Sequence, residues 1–314
     1  MSRTVLYGLV VDSEIPLHTG RVATGPADVT ISVGAPRPAT LEPPPGRRLL
    51  HLETDRALFT ATATSNGYRL RFYRTCDFAI TADLRTVTIH ADAGADPDTI
   101  GVLITGTLLS FLLALREEPV LHGSAVQVGG SAVAFVGSSG MGKSTMATLC
   151  CAAGAQLITD DVLRLDLDAG RPRCHLGGTS LRLRKAATDL SALFGAAPVR
   201  RVTGDGRDAL TMTPSVQDLL PLAALVIPAP QHESALPRPE LVHLEPKQAL
   251  LALLQFPRIV GWEDPDVLDR QLQELGVIVE QVPVYVARLP WGPPFSPSLA
   301  TDILGGLGLA RASH

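Results

Sequence analysis

Lysine is nearly missing from this chain: of 27 basic residues among 314, only Lys143, Lys185 and Lys247 are lysines. The arginine excess accompanies abundant Ala, Gly and Pro and reads as a compositional bias. With 31 acidic residues the formal net charge is −4, so overall charge gives no reason to expect nucleic acid or an anionic membrane as partner. Cysteine is scarce too. Cys76, Cys150, Cys151 and Cys174 form no CxxC pair and no His/Cys cluster at metal spacing, which excludes a disulfide scaffold and the common zinc motifs. The apolar run 100–115 is shorter than the ~20 residues of a membrane span and is interrupted by Thr105, Gly106, Thr107 and Ser110, so it reads as a buried helix. Asp12 and Glu14 cut short the apolar start, so no signal peptide is expected. These absences point to a soluble protein of the reducing cytoplasm.

What is present suffices for a large core. Apolar residues make up 46% and charged residues 18%, which excludes a disordered chain. Residues 1–95 read as a β-rich module with strands over 5–11, 28–33, 49–53, 68–72, 78–82 and 86–90, separated by turn residues such as Ser65-Asn66-Gly67. Five prolines between 36 and 45 mark an exposed connection. Asp96-Pro97-Asp98 opens an apolar helix over 99–116, within a connecting segment 96–118. The next region, 119–289, is the candidate catalytic domain. It starts with strands 120–128 and 131–136 joined at Gly129-Gly130, then a glycine-rich turn, a helix over 143–153 and a strand over 156–159. Further on, helices are expected over 181–194, 246–254 and 265–275, with strands over 223–227 and 277–282. Residues 290–314 form a C-terminal extension, irregular over 290–297. The whole is an α/β chain with a β-rich N-terminal module.

The decisive segment is Gly137-Ser138-Ser139-Gly140-Met141-Gly142-Lys143-Ser144-Thr145, a full GxxxxGK[ST] match between an apolar strand and a helix. Glycines let the backbone turn its N–H groups inward around phosphate, and the following helix aims its positive end at the same anion. Lys143 supplies a mobile cation for the β- and γ-phosphates, and the Ser144 hydroxyl can ligate Mg²⁺. The plain alternative is a glycine-rich turn with an incidental lysine. Asp160-Asp161 follows the next strand, 17 residues beyond Lys143. At the carboxyl end of a strand such a pair can hold Mg²⁺ and accept a proton from an incoming hydroxyl; an Asx turn capping the strand is the other reading. His122, in Leu121-His122-Gly123-Ser124-Ala125, sits on the strand before the hairpin.

Together His122-Gly123-Ser124, the loop 137–145 and Asp160-Asp161 resemble the HPr kinase/phosphorylase superfamily. Within it they are most similar to the HPr-kinase-related proteins of lasso-peptide-type gene clusters, over roughly residues 100–210. The resemblance implies a P-loop core of the HPr-kinase/phosphoenolpyruvate-carboxykinase type, and ATP- and Mg²⁺-dependent phosphorylation of a serine or threonine hydroxyl. The acceptor it implies is a ribosomal natural-product precursor peptide. It also implies that His122 assists at the phosphate, that one aspartate is the base and that the other helps hold Mg²⁺; Asp161 is taken as base, and Asp160 with Ser144 as metal ligands. Arg207 resembles the basic residue that follows an Asp-Gly turn in the peptide-cluster relatives, and is a further catalytic candidate. Where HPr kinases carry Glu-x-Arg-Gly-x-Gly, residues 177–184 here read GGTSLRLR, which speaks against a reverse phosphorylase activity and against HPr as acceptor. HPr kinases are hexamers; a resemblance this partial leaves a homo-oligomer open.

Two other functions remain at this level. A kinase acting on free serine or a sugar fits the same residues. A nucleotide-dependent switch has only the loop in its favour, because NKxD, an LSGGQ-like signature and a late strand ending in Asp-Glu are all missing. Trp262, Trp291 and the Cys150-Cys151 pair read as packing residues.

Overall fold

The computed structural model describes residues 2–19, 21–38, 40–54, 58–168, 170–183, 190–191, 193–194, 198–204, 206–232 and 236–309. Among these described residues it is a mixed α/β structure with three sheets. The chain divides into two compact units. The first comprises residues 1–118, 203–205 and 259–271, and the second residues 119–202, 206–258 and 272–314.

The first unit is built on a nine-stranded sheet. From one edge its strands run Arg21–Val22, Ser2–Leu6, Leu9–Ser13, Val29–Val33, Thr86–Ala91, Cys76–Thr81, Gly67–Phe72, Leu58–Thr64 and Arg47–Glu53. The strand expected over 5–11 is a hairpin instead. Tyr7 adopts φ 55° and Gly8 φ 72°, the double left-handed geometry of a tight two-residue turn, so Leu6 pairs with Leu9. Alternate residues Phe78 and Ile80, Val87 and Ile89, and Leu70 and Phe72 are buried, the period-two pattern of a half-covered sheet. Directly opposite each other, Arg71 and Asp77 form a buried bidentate pair with N–O distances of 2.8 and 2.7 Å, and Arg37 adds a further bond to Asp77.

A helical stretch, Pro97–Leu115, completes this unit. Asp96 caps it by accepting from the backbone N–H groups of Asp98 and Thr99. Its middle turn, Ile104–Leu108, is a π-helix. The carbonyl of Thr105 there accepts the Tyr7 hydroxyl at 2.9 Å, and the Thr105 and Ser110 hydroxyls satisfy Gly101 and Gly106. Among the described residues it is the one helix long and apolar enough to cross a membrane by length and composition, and Ile104 and Leu108 to Leu113 are buried within the protein. Phe111 is fully buried, stacked on Trp262 at 5.6 Å and edge-on to Tyr68 at 6.3 Å. Truncating Phe111 to alanine removes a ring with close partners on two sides. The expected loss is about 3–5 kcal/mol of stability, read as a lower denaturant midpoint at unchanged slope.

The second unit centres on the strand Ser131–Val136, which pairs antiparallel with Gly123–Val128 and parallel with Leu219–Gln231. Gln156–Thr159 flanks Gly123–Val128 on its other side. Val133 and Phe135 point into one apolar cluster with the helices Lys143–Ala152 and Leu299–Gly306. Ala132, Ala134 and Val136 point into another with Pro246–Leu253 and the later residues of Pro265–Gln281. Burial on both faces explains why this strand is apolar without interruption. A separate three-stranded sheet joins Ser180–Leu183, Asp208–Thr211 and Val199–Val202.

Several expectations change here. The segment expected as one strand over 120–128 breaks at His122: Val120–Leu121 pairs with residues 163–164, whereas Gly123–Val128 pairs with Ser131–Val136. Residues 277–281 continue the helix Pro265–Gln281 rather than forming a strand. Their β-branched run suggests a strand, but Leu275, Ile278, Val279 and Val282 fall on one helical face and are buried. Residues 181–183 of the expected 181–194 helix lie in the strand Ser180–Leu183; its residues 184–189 and 192 lie outside the described residues. The strand expected over 223–227 extends to Leu219–Gln231 despite three prolines. Pro228 and Pro230 lie beyond Val226, the last residue paired with Ser131–Val136, and there the strand keeps a pairing with Val284–Pro290 on its other side.

Candidate functional site

The break at His122 and the glycine-rich loop are neighbours. The N–H of Gly137, the first residue of the loop, donates to the His122 carbonyl at 3.4 Å, and the His122 N–H donates to Phe256 at the same distance. The loop then leads into the helix Lys143–Ala152 through Gly142 at φ 91°. Only glycine takes that backbone shape without strain, and here a Cβ would also stand 2.1 Å from the ring of Trp291. Lys143 is buried, and its ammonium donates to the Ser138 carbonyl at 2.9 Å.

The acid pair sits in the turn after Gln156–Thr159, closed by the Thr159 hydroxyl donating to the Val162 carbonyl at 2.6 Å. Because Ala125 lies opposite Thr159, the pair meets the segment Gly123–Ser124 and the start of the helix. Asp160 is buried, and its Oδ1 accepts from the hydroxyls of Ser124 at 2.6 Å and Ser144 at 2.7 Å. Its Oδ2 accepts from the Arg182 backbone N–H at 2.9 Å. Asp161 adopts φ 75°, an uncommon backbone state for a residue with a side chain, and one that concentrates at functional positions. Its Oδ2 receives guanidinium N–H groups from Arg182 at 2.7 Å and Arg258 at 2.8 Å. Its Oδ1 and its carbonyl face Nδ1 of His122 at 3.3 and 3.2 Å.

The electrostatics follow from these neighbours. Burial alone would raise the Asp161 carboxyl, but Arg258, Arg182, His122 and Lys143 outweigh it and hold the group well below the usual carboxylate range. His122 is pushed down to about 4, chiefly by burial; Asp161 opposes the shift, while Lys143 and Arg258 add to it. It is a neutral imidazole at pH 7. Three cations, Lys143, Arg182 and Arg258, act on the Asp161 carboxylate.

The loop 137–145, His122, Asp160 and Asp161 thus come together in one unit. Arg207 precedes Asp208–Thr211, the strand whose Ala209 lies opposite Arg182. The guanidinium groups on the acid pair are those of Arg182 and Arg258. Sequence reasoning missed both. Arg182 carried a faint signal in the alternating Leu-Arg-Leu-Arg of residues 181–184, whereas Arg258 lies 97 residues from Asp161 and belongs to no motif. Trp291, expected as a packing residue, packs against the core cluster of Val133 and Phe135, and its ring also lies against the loop at Gly142, edge-on to Phe295 at 5.1 Å.

No protein-family model matches the chain, and no curated protein sequence does. Among solved structures, the HPr(Ser) kinase/phosphatase from Coxiella burnetii aligns over 60% of this chain and 95% of its own. The identity is 14% and the TM-score 0.31, too loose a superposition to bear on fold or function.

A second half-buried histidine gives a pH prediction. His175, on the strand Arg173–His175, is pushed down to about 4, mainly by burial. Between that value and the ordinary 6.5 the unfolded chain binds a proton that the folded chain refuses, so stability falls as pH drops through this window. The thermal midpoint is expected to decline from about pH 6.5 to pH 4, with a shallower decline in His175→Gln.

Proposed function

We propose that the second unit binds ATP with Mg²⁺ and transfers the γ-phosphate to a serine or threonine hydroxyl, with a ribosomal natural-product precursor peptide as the favoured acceptor. The observation that carries this reading is the 2.7 Å bond between Ser144 and Asp160. It ties the first turn of the helix after the glycine loop to an acid at the end of a neighbouring strand. A serine hydroxyl and a carboxylate are hard oxygen donors, the kind that suit Mg²⁺ when phosphate oxygens and water complete its shell. When bound, Mg²⁺ would neutralise charge on the β- and γ-phosphates.

The chain's own groups would do the rest. The loop N–H groups and the N-terminus of Lys143–Ala152 would hold phosphate oxygens, and Lys143 would swing from Ser138 onto the β,γ-bridge. Asp160 would orient Ser144, and Lys143 would offset charge on the nucleotide. Arg207 is kept as a candidate for contact with the transferring phosphate.

Mixing the full chain with ATP and Mg²⁺, alone and then with serine-containing peptides, free serine or sugars, tests the reading. Phosphorylated peptide in the mass spectrum supports it, and a phosphorylated small molecule would keep the kinase while changing its acceptor. Slow hydrolysis indifferent to every acceptor would contradict transfer and favour a nucleotide switch.

A further inference from the structure

We infer that Trp291 is the platform on which the nucleobase stacks, with Phe295 steadying its ring, so that the site takes a purine nucleoside triphosphate in preference to a bare polyphosphate; this rests on the nucleotide-binding part of the reading above. Strand order is the starting point. Ser131–Val136, which feeds the glycine loop, has Gly123–Val128 and then Gln156–Thr159 on one side, and Leu219–Gln231 and then Val284–Pro290 on the other. Two antiparallel pairings on the first side and two parallel ones on the second make all three of Ser131–Val136, Gln156–Thr159 and Val284–Pro290 end at the same edge of the sheet. Along that edge Asp160-Asp161 lie two strands from the loop in one direction. Trp291 follows the strand two places away in the other, each roughly 10 Å off at the usual strand spacing.

A triphosphate is a linear chain. If its γ end is directed to the acid pair, the nucleoside end is left to the opposite flank, and Trp291 stands there. Its ring meets the loop at Gly142 through Cη2, Cζ2 and Cζ3, the rim of the six-membered ring. The residue is only half-buried, so part of the indole stays open to a ligand while the rest packs on the core cluster of Val133 and Phe135.

The platform is also held still. Phe295 stands edge-on to the indole, with centroids 5.1 Å apart and planes at 87°, the arrangement that aromatic quadrupoles favour. Pro290, Pro293, Pro294 and Pro297 bracket the two rings in sequence, and each fixes its own φ. Little chain freedom is then left to lose when a ligand stacks. A ring face reads the breadth of a nucleobase and not the hydrogen-bonding pattern on its rim. The contact therefore adds affinity for a purine without itself separating adenine from guanine.

The test titrates the full chain, in the presence of Mg²⁺, with a non-hydrolysable ATP analogue, its GTP counterpart and inorganic tripolyphosphate, which carries the phosphates and no nucleobase. By calorimetry both analogues are expected to bind at least about tenfold more tightly than tripolyphosphate. In Trp291→Leu that preference is expected to vanish while tripolyphosphate binding holds, and in Trp291→Tyr to return in part. Fluorescence gives an independent arm, because the other tryptophan, Trp262, lies in the first unit. In Trp262→Phe the remaining emission, from Trp291, is expected to be quenched by either analogue and left unchanged by tripolyphosphate. That arm alters nothing at the site, so it decides the matter even if Trp291→Leu fails to fold. No preference in the unaltered chain, a preference that survives in Trp291→Leu, equal loss of analogue and tripolyphosphate there, or emission indifferent to a bound analogue overturns the inference and leaves the kinase reading standing. If the unaltered chain binds none of the three, the kinase reading falls and the inference with it.

Discussion

Replacing Lys143 by alanine is expected to remove ATP turnover almost completely, by at least about 10²-fold, and to weaken nucleotide binding measurably by calorimetry. The size follows from burial and position. The ammonium is buried at the mouth of the loop, where it donates to the Ser138 carbonyl. A buried cation close to its target is poorly screened, so it counts for more there than on a surface. It is also the lysine of the GxxxxGK[ST] segment, and the other two in the chain, Lys185 and Lys247, lie outside that segment. The Ser138 carbonyl can turn to solvent once the lysine is gone, so the variant should keep its fold and its far-ultraviolet spectrum. Unchanged turnover in a folded Lys143→Ala protein would remove the loop from the chemistry.

Asp160→Asn is expected to lose Mg²⁺-dependent turnover by about 10²–10³-fold and to lose stability as well. The two effects have separate origins. An amide oxygen can still accept from Ser124 and Ser144, but the amide nitrogen then faces the Arg182 N–H, donor against donor, in place of the 2.9 Å bond. Leaving that buried N–H without an acceptor costs about 1–3 kcal/mol. The lost charge acts on the metal: a neutral oxygen is a weaker ligand for Mg²⁺, so a magnesium titration should shift to higher concentration with a lower plateau. A variant of unaltered magnesium dependence would show that this carboxylate belongs to the fold alone.

The glycine loop and Asp160-Asp161 were legible because their spacing is local. A strand, a turn and a helix in direct succession leave the loop few places to go, and the acids follow the very next strand. The strand Ser131–Val136 was legible for the same reason, as its unbroken apolar run fits burial on both faces. The guanidinium groups were not. Arg258 reaches Asp161 only because Leu121 bridges to Pro257 and the His122 N–H meets Phe256, pairings that no short-range pattern encodes. Residues 277–281 failed for a different reason. Val, Ile and Val in succession favour a strand by propensity, but the helical spacing of Leu275, Ile278, Val279 and Val282 against the second core cluster overrode it. The hairpin at Tyr7 was hidden because a non-glycine residue with positive φ carries no composition cue.

The most direct measurement replaces Mg²⁺ by Mn²⁺ bound to a non-hydrolysable ATP analogue and maps paramagnetic line broadening across the ¹⁵N-labelled chain. The strongest broadening is expected at Ser144, Asp160, Asp161 and the His122 ring, declining along Lys143–Ala152. Broadening centred elsewhere in the protein, or none at a saturating level of the complex, would contradict a triphosphate whose terminal group lies between the glycine loop and the two acids.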